Sequence, residues 1–244
     1  MRFYTIFAFA ASATAAAIPD AEAQPNVGSS TPSCKADSRE IAISKAAFLK
    51  AMIIPPRPSQ YNDQVNIIPS FNPDATIAID YNGKQVKYGT KFQMTETATQ
   101  PNVVFTAESD RRYADYNYTV IMADPDALSP AGTAPGPTMK NFLHWIYYDA
   151  KPCIERKQQP NAKDQPMYML PTPPSPQAHR YTFLVYRQPK GVYTPPSVLQ
   201  FPQTSGTARG MFNVNEYVKA GKLEGPVAGN YFLEAVPVAG GTSS

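Results

Sequence analysis

The spacing of apolar positions changes along the chain, and the changes mark its elements. Over 37–52 the apolar residues Ile41, Ala42, Phe48, Leu49 and Met52 recur at mixed intervals of three to four. They sit among good helix formers behind the capping-box-like Asp37-x-x-Glu40, and Pro55-Pro56 follows, so this stretch predicts a helix. Beyond it the period shortens. Runs at 75–81 (ATIAIDY), 100–107 (QPNVVFTA), 116–123 (YNYTVIMA), 142–148 (FLHWIYY), 181–187 (YTFLVYR) and 231–236 (YFLEAV) are short, β-branched or aromatic, and bounded by Pro, Gly and Asn. These predict strands. A second, short helix is predicted over 213–220, with Asn213 as N-cap, Glu216 three residues on and Gly221 as the stop. Many short strands with few helices predict a mainly β fold, an antiparallel β-sandwich with a few short peripheral helices, rather than a doubly wound α/β sheet. The connectors 151–176 and 189–209 are long for a compact domain, and such loops tend to carry function or hug the surface.

The first residues have a different character. MRFYTIFAFAASATAAA places one basic residue, Arg2, ahead of a Phe- and Ala-rich stretch and then small residues, the order of a secretory signal peptide. A-x-A-like sites leave cleavage after 17 or after 23 open. The run over 3–18 is shorter than the roughly 20 apolar residues of a membrane-spanning helix, and Thr and Ser interrupt it. No later segment is apolar enough to span, and the final VPVAGGTSS lacks the tail of a lipid-anchor signal. The expectation is a secreted, extracellular protein with a signal peptide over 1–23, a flexible mature N-terminus over 24–36 and a single domain over 37–244.

Composition narrows the chemistry. At 244 residues, 43% hydrophobic and 17% charged, the chain can bury a substantial core. Lys and Arg (22) barely exceed Asp and Glu (19), and no run of like charges forms a basic tail, so nucleic acid is not the expected partner. Two histidines and two cysteines exclude most polynuclear metal sites and every disulfide-dense scaffold. No metal or cofactor is expected. In an oxidising compartment Cys34 and Cys153 are expected to pair, the alternative being two unrelated buried thiols. Asn117-Tyr118-Thr119 is a glycosylation sequon at the start of a predicted strand.

Neither H-E-x-x-H, G-x-S-x-G, a P-loop nor G-x-G-x-x-G occurs. What does occur is a set of three segments that contains both histidines: Asp124-Pro125-Asp126-Ala127-Leu128-Ser129-Pro130, Asn141-Phe142-Leu143-His144-Trp145-Ile146 and His179-Arg180-Tyr181. Taken alone, Asp124-Pro125-Asp126 reads as a turn with local backbone caps, and His144 as a core histidine. Strand alternation places Arg180 on the face opposite His179, and turns Trp145 away from His144 if that strand is regular.

DPDALSP, LHWIYYD, AHRYTFLVYRQP and GPVAGNYF, in that order over about 75–236, resemble the phosphatidylethanolamine-binding protein family. The resemblance implies two packed antiparallel sheets and a small surface pocket for phosphate-type anions and phospholipid headgroups. By motif, that pocket would use Asp124, Asp126, His144, His179 and Tyr181. Imidazoles donate and can carry charge near neutral pH, whereas bare carboxylates repel an anion. Asp124 is therefore expected to orient a histidine, Asp126 to brace the loop backbone, and Tyr181 to donate its hydroxyl. Leu128 and Pro130 depart from the usual Pro and Arg, and Gln177 stands where a Gly is usual, which predicts a narrower, less positive pocket. The reading is a non-catalytic binding protein. Some family members inhibit serine carboxypeptidases, and a carboxypeptidase partner is the alternative. A hydrolase built on Asp124 and His144 lacks an evident nucleophile.

Overall fold

The computed structural model of the protein describes residues 34–62, 66–127, 141–157, 163, 166–174, 176–198 and 209–236. The expected signal peptide and most of the expected N-terminal segment lie outside these residues, as do Leu128 and Pro130. Among the described residues, α1 spans Ser38–Lys50, capped by the Asp37 carboxylate, which accepts from the Arg39 amide. Strands follow at Ile77–Tyr81 (β1), Lys84–Gln85 (β2), Thr90–Phe92 (β3) and Asn102–Phe105 (β4). Then come Tyr118–Asp124 (β5), Phe142–Ala150 (β6) and His179–Arg187 (β7). The helix Val214–Ala220 (α2) is capped by Asn213, whose Oδ1 accepts from the Glu216 amide, and β8 closes the order at Glu224–Glu234.

The strands form two sheets, β2-β1-β4 and β3-β8-β7-β5-β6. Every pairing is antiparallel except that of β3 with β8, which is parallel and corrects the all-antiparallel expectation at that one edge. Two short strands, β2 and β3, were not signalled by any apolar run. β8 begins seven residues before the predicted 231, because Gly225, Pro226 and Gly229 mask a strand that the alternation rule cannot see.

Burial on both sides explains the nearly continuous apolar runs of β5 and β7. Tyr118, Val120 and Met122 of β5 and Tyr181, Phe183 and Val185 of β7 face the three-stranded sheet, meeting Ile77, Ile79, Val103 and Phe105. The alternate residues Ile121, Ala123, Leu184 and Tyr186 face outward, beneath Phe48 of α1, Val214 and Tyr217 of α2, and Ile53, Ile67 and Phe71 of the segment between α1 and β1. A sheet covered on both faces needs no polar alternation. The sandwich therefore carries a third layer of helix and loop.

Three ties hold the layers. Asn230 of β8 is buried and fully used: its Nδ2 donates to the carbonyls of Ile77 and Val86, and its Oδ1 accepts from the amides of Tyr88 and Tyr231. One residue before it and on the opposite face of the strand, Gly229 lets α1 press onto β8, since a Cβ there would lie 2.5 Å from Phe48 Cζ and 3.1 Å from the Phe183 carbonyl. Ser44 Oγ completes the contact by donating to the Gly229 carbonyl. Cys34 and Cys153 form a disulfide across 119 residues, with Cα atoms 5.5 Å apart. Around it the Ala107 amide donates to the Cys34 carbonyl and the Cys153 amide to that of Phe105.

Gly229→Ala is expected to lower the free energy of unfolding by about 1–3 kcal/mol in denaturant titrations, and by less in a Phe48→Ala background, where the closer of the two approaches is gone. Cys34→Ser is expected to cost about 2–5 kcal/mol, with the thermal midpoint of the wild type falling to match once reductant is added.

Candidate functional site

The three motif segments meet at one end of the five-stranded sheet. Asp124 is the last residue of β5 and His179 the first of β7, so antiparallel pairing brings them together. Asp124 Oδ2 accepts from His179 Nδ1 at 2.8 Å, while its Oδ1 accepts from the Asp126 amide, the tight turn that Asp-Pro-Asp suggested. Asp126 points elsewhere. Its two oxygens take Nε and Nη2 of Arg180 in a two-pronged pair at 2.7 Å, and the Arg180 amide as well. Arg180 also donates to the Ala51 carbonyl, tying the loop to the end of α1. Both residues thus brace the site from behind.

His144 reaches the site through an irregularity. The β5–β6 register pairs Met122 with Trp145 but Ala123 with Leu143, which leaves His144 as the extra residue of a β-bulge. Its ring lies edge-on to that of Tyr181, with centroids 5.1 Å apart. The predicted opposition of Trp145 and His144 fails for the same reason: the bulge breaks the alternation, and Trp145 packs toward the inter-sheet core against Tyr168. His144 Nδ1 donates to the Met169 carbonyl at 2.9 Å, and the Met169 amide donates back to the His144 carbonyl. Tyr181 stacks on Phe232 with centroids 5.0 Å apart.

Both rings commit Nδ1–H to an acceptor, so in the neutral form each Nε2 is an acceptor and becomes a donor only on protonation. Their titrations are driven apart. Burial pushes the His144 pKa below the usual imidazole range, with the nearby Arg209 guanidinium adding to the effect. His179 moves the other way: burial opposes its charge, but the hydrogen bond and field of Asp124, helped by Asp126 and Glu234, outweigh it and raise the pKa. Asp124 is therefore an orienting residue that also favours the charged ring.

Two residues here carried no sequence signal. Glu234, last in β8 and directly across from His179 in the register, is 1% exposed. Burial is the main cause that pushes its carboxyl up to about 7, although Thr97 Oγ1 donates to Oε2 at 2.7 Å. Arg209 donates to the carbonyls of His144 and Met167 along the edge of β6. A Glu within a short apolar run and an Arg ending a long connector say little in sequence; the β7–β8 pairing brings in the first and hydrogen bonds to the His144 and Met167 carbonyls bring in the second.

Asn117, just ahead of β5, is half-buried, and Thr119 of its sequon is buried with Oγ1 accepting from Gln188. No metal-binding group of three or more His, Cys, Asp or Glu side chains forms among the described residues. No helix among them is long and apolar enough to cross a membrane.

The sequence profile of the phosphatidylethanolamine-binding protein family matches residues 68–232. The chain belongs to this family. It is 32% identical to CEN-like protein 1 of Nicotiana tabacum over 68% of this chain and 84% of that protein. A 26 kDa secreted antigen of Toxocara canis is 28% identical over 69% of this chain and 59% of its own length. Among solved structures, a carboxypeptidase Y inhibitor complexed with its cognate proteinase shares the fold with a TM-score of 0.59 and 24% identity, over 81% of this chain and 97% of that one. Within the phosphatidylethanolamine-binding protein fold, the motif residues converge at one sheet end, as described above.

The raised carboxyl has a consequence for stability. A group that holds its proton more tightly folded than unfolded stabilises the native state below its unfolded pKa, and that contribution disappears as pH rises through the folded value. Glu234→Gln is therefore expected to raise the thermal unfolding midpoint at pH 8 and to leave it nearly unchanged at pH 4, as read by circular dichroism.

Proposed function

We propose that this family member is a secreted, non-catalytic binding protein whose pocket takes phosphate-type anions and phospholipid headgroups. The observation that carries the reading is the buried Asp124–His179 pair at 2.8 Å, which favours a cationic imidazole with Nε2–H free to donate to an anionic oxygen. His144 adds a second ring nitrogen at lower pH, and Tyr181, packed between the two imidazoles, supplies its hydroxyl. Asp126 contributes by fixing Arg180 and the loop. Export is supported by the disulfide and by the likeness to a secreted antigen, together with the signal-peptide pattern of residues 1–23.

Calorimetric titration with phosphorylethanolamine and inorganic phosphate tests the reading. Hydrogen bonds to charged groups are worth about 1.5–3 kcal/mol each, so His179→Ala is expected to weaken binding by about tenfold or more. Affinity should rise as pH falls, first as His179 charges and again below the ordinary imidazole range as His144 does. Saturable binding that is equal in wild type and His179→Ala contradicts the assignment. No binding at all makes carboxypeptidase inhibition the function to assay.

A further inference from the structure

The end of the sheet that holds the imidazoles has an imbalance of charge. Asp126 is neutralised by Arg180. That leaves two buried carboxyls, Asp124 and Glu234, for one ring, His179, that favours a positive charge. In the β7–β8 register His179 pairs with Glu234 and Tyr181 with Phe232, so these four side chains stand on the same face of the sheet. Glu234 Oε2 takes the Thr97 hydroxyl, while Oε1 is buried without a hydrogen-bond partner among the described residues. A buried polar atom left unpaired is costly, and what sets this one apart from others in the fold is its place directly across from His179.

The groups facing Glu234 sharpen the point. His179 comes from β7 and Asp124 from β5, Tyr81 from β1, Tyr181 from β7, and Tyr168 from the segment beside β6. Glu96, after β3, adds negative field, though Lys84 pairs with it at 2.8 Å. Apart from His179, the near groups are acidic or neutral. An oxyanion that reaches His179 Nε2 meets the Glu234 charge among buried side chains, where like charges repel more strongly than at the surface. A protonated Glu234 removes the repulsion and adds a donor.

We propose that Glu234 couples anion binding to the uptake of one proton, its protonated carboxyl donating to the bound phosphate-type oxygen. This rests on the anion-pocket reading above and names the group that sets its charge selectivity. The proton comes from solvent, stays on Glu234 while the anion is bound, and returns when it leaves.

Inorganic sulfate is the decisive probe, because it stays a dianion across pH 5.5–8.5 and any pH dependence of its binding belongs to the protein. In wild type, affinity should fall with rising pH with a slope that includes one proton beyond the share of His179. Glu234→Gln should bind sulfate about tenfold more tightly than wild type at pH 8, where a carboxyl with a pKa of about 7 is mostly ionised. Its slope above pH 7.5 should be shallower by close to one proton. Thr97→Val, which removes the hydroxyl that favours the ionised carboxylate, should instead move the midpoint of the pH dependence upward. This second variant keeps the test valid if the glutamine perturbs the fold. An unchanged slope in Glu234→Gln with sulfate still bound overturns the proton coupling and leaves the anion pocket standing. Failure of wild type and both variants to bind sulfate or phosphate overturns the pocket and the coupling together.

Discussion

Apolar cover on both faces of the five-stranded sheet leaves its central strands no place for charge except at their ends. β5, β7 and β8 run antiparallel, so their termini collect in two groups. At one end Arg187 of β7 is clamped between Glu108 and Glu224, with its guanidinium 3.3 Å from the Tyr113 ring centroid and Tyr118 donating to the same Glu108. There the Glu224 side chain is 69% exposed, which leaves Arg187 and the buried Glu108 as a one-to-one pair. At the other end Asp124, His179 and Glu234 gather with one imidazole against two carboxyls. The two histidines therefore sit at the sheet end where buried carboxyls outnumber their buried cationic partners.

The bulge in β6 is the second determinant. Without the extra residue between the Met122 and Ala123 pairings, strand alternation would carry His144 away from Tyr181. One inserted residue therefore converts a core position into a member of the site, and the backbone exchange with Met169 then fixes which ring nitrogen holds the proton. The two histidines end with opposite biases: burial and the Arg209 guanidinium keep His144 neutral, while the Asp124 contact and the fields of Asp126 and Glu234 favour a charged His179.

Much of this was legible in the residues. The capped helices and the six principal strands follow from periodicity and cap chemistry, whereas the grouping of both histidines with Asp124 was implied by the family resemblance of the motifs. What escaped had physical causes. β2 and β3 are two and three residues long, too short to show a period. The first half of β8 is written in Gly and Pro: Gly229 lies under Phe48 of α1, and Gly225 holds a φ of +127° beside Val227 and Val185. The Trp145 prediction assumed a regular strand. Glu234 and Arg209 matter through partners far away in sequence, a relation that spacing cannot express.

The segment that positions His144 also does something for the molecule as a whole. β6 is an edge strand of the larger sheet. Its outward amides donate to the carbonyls of Arg209, Pro166 and Lys163, its His144 carbonyl is taken by Met169 and by the Arg209 guanidinium, and little of the ladder is left open. Exposed ladders of this kind recruit strands from other molecules and seed aggregates. The orientation of the histidine and the protection of the edge share one covering, so a substitution that displaces Met169 or Arg209 would release both at once.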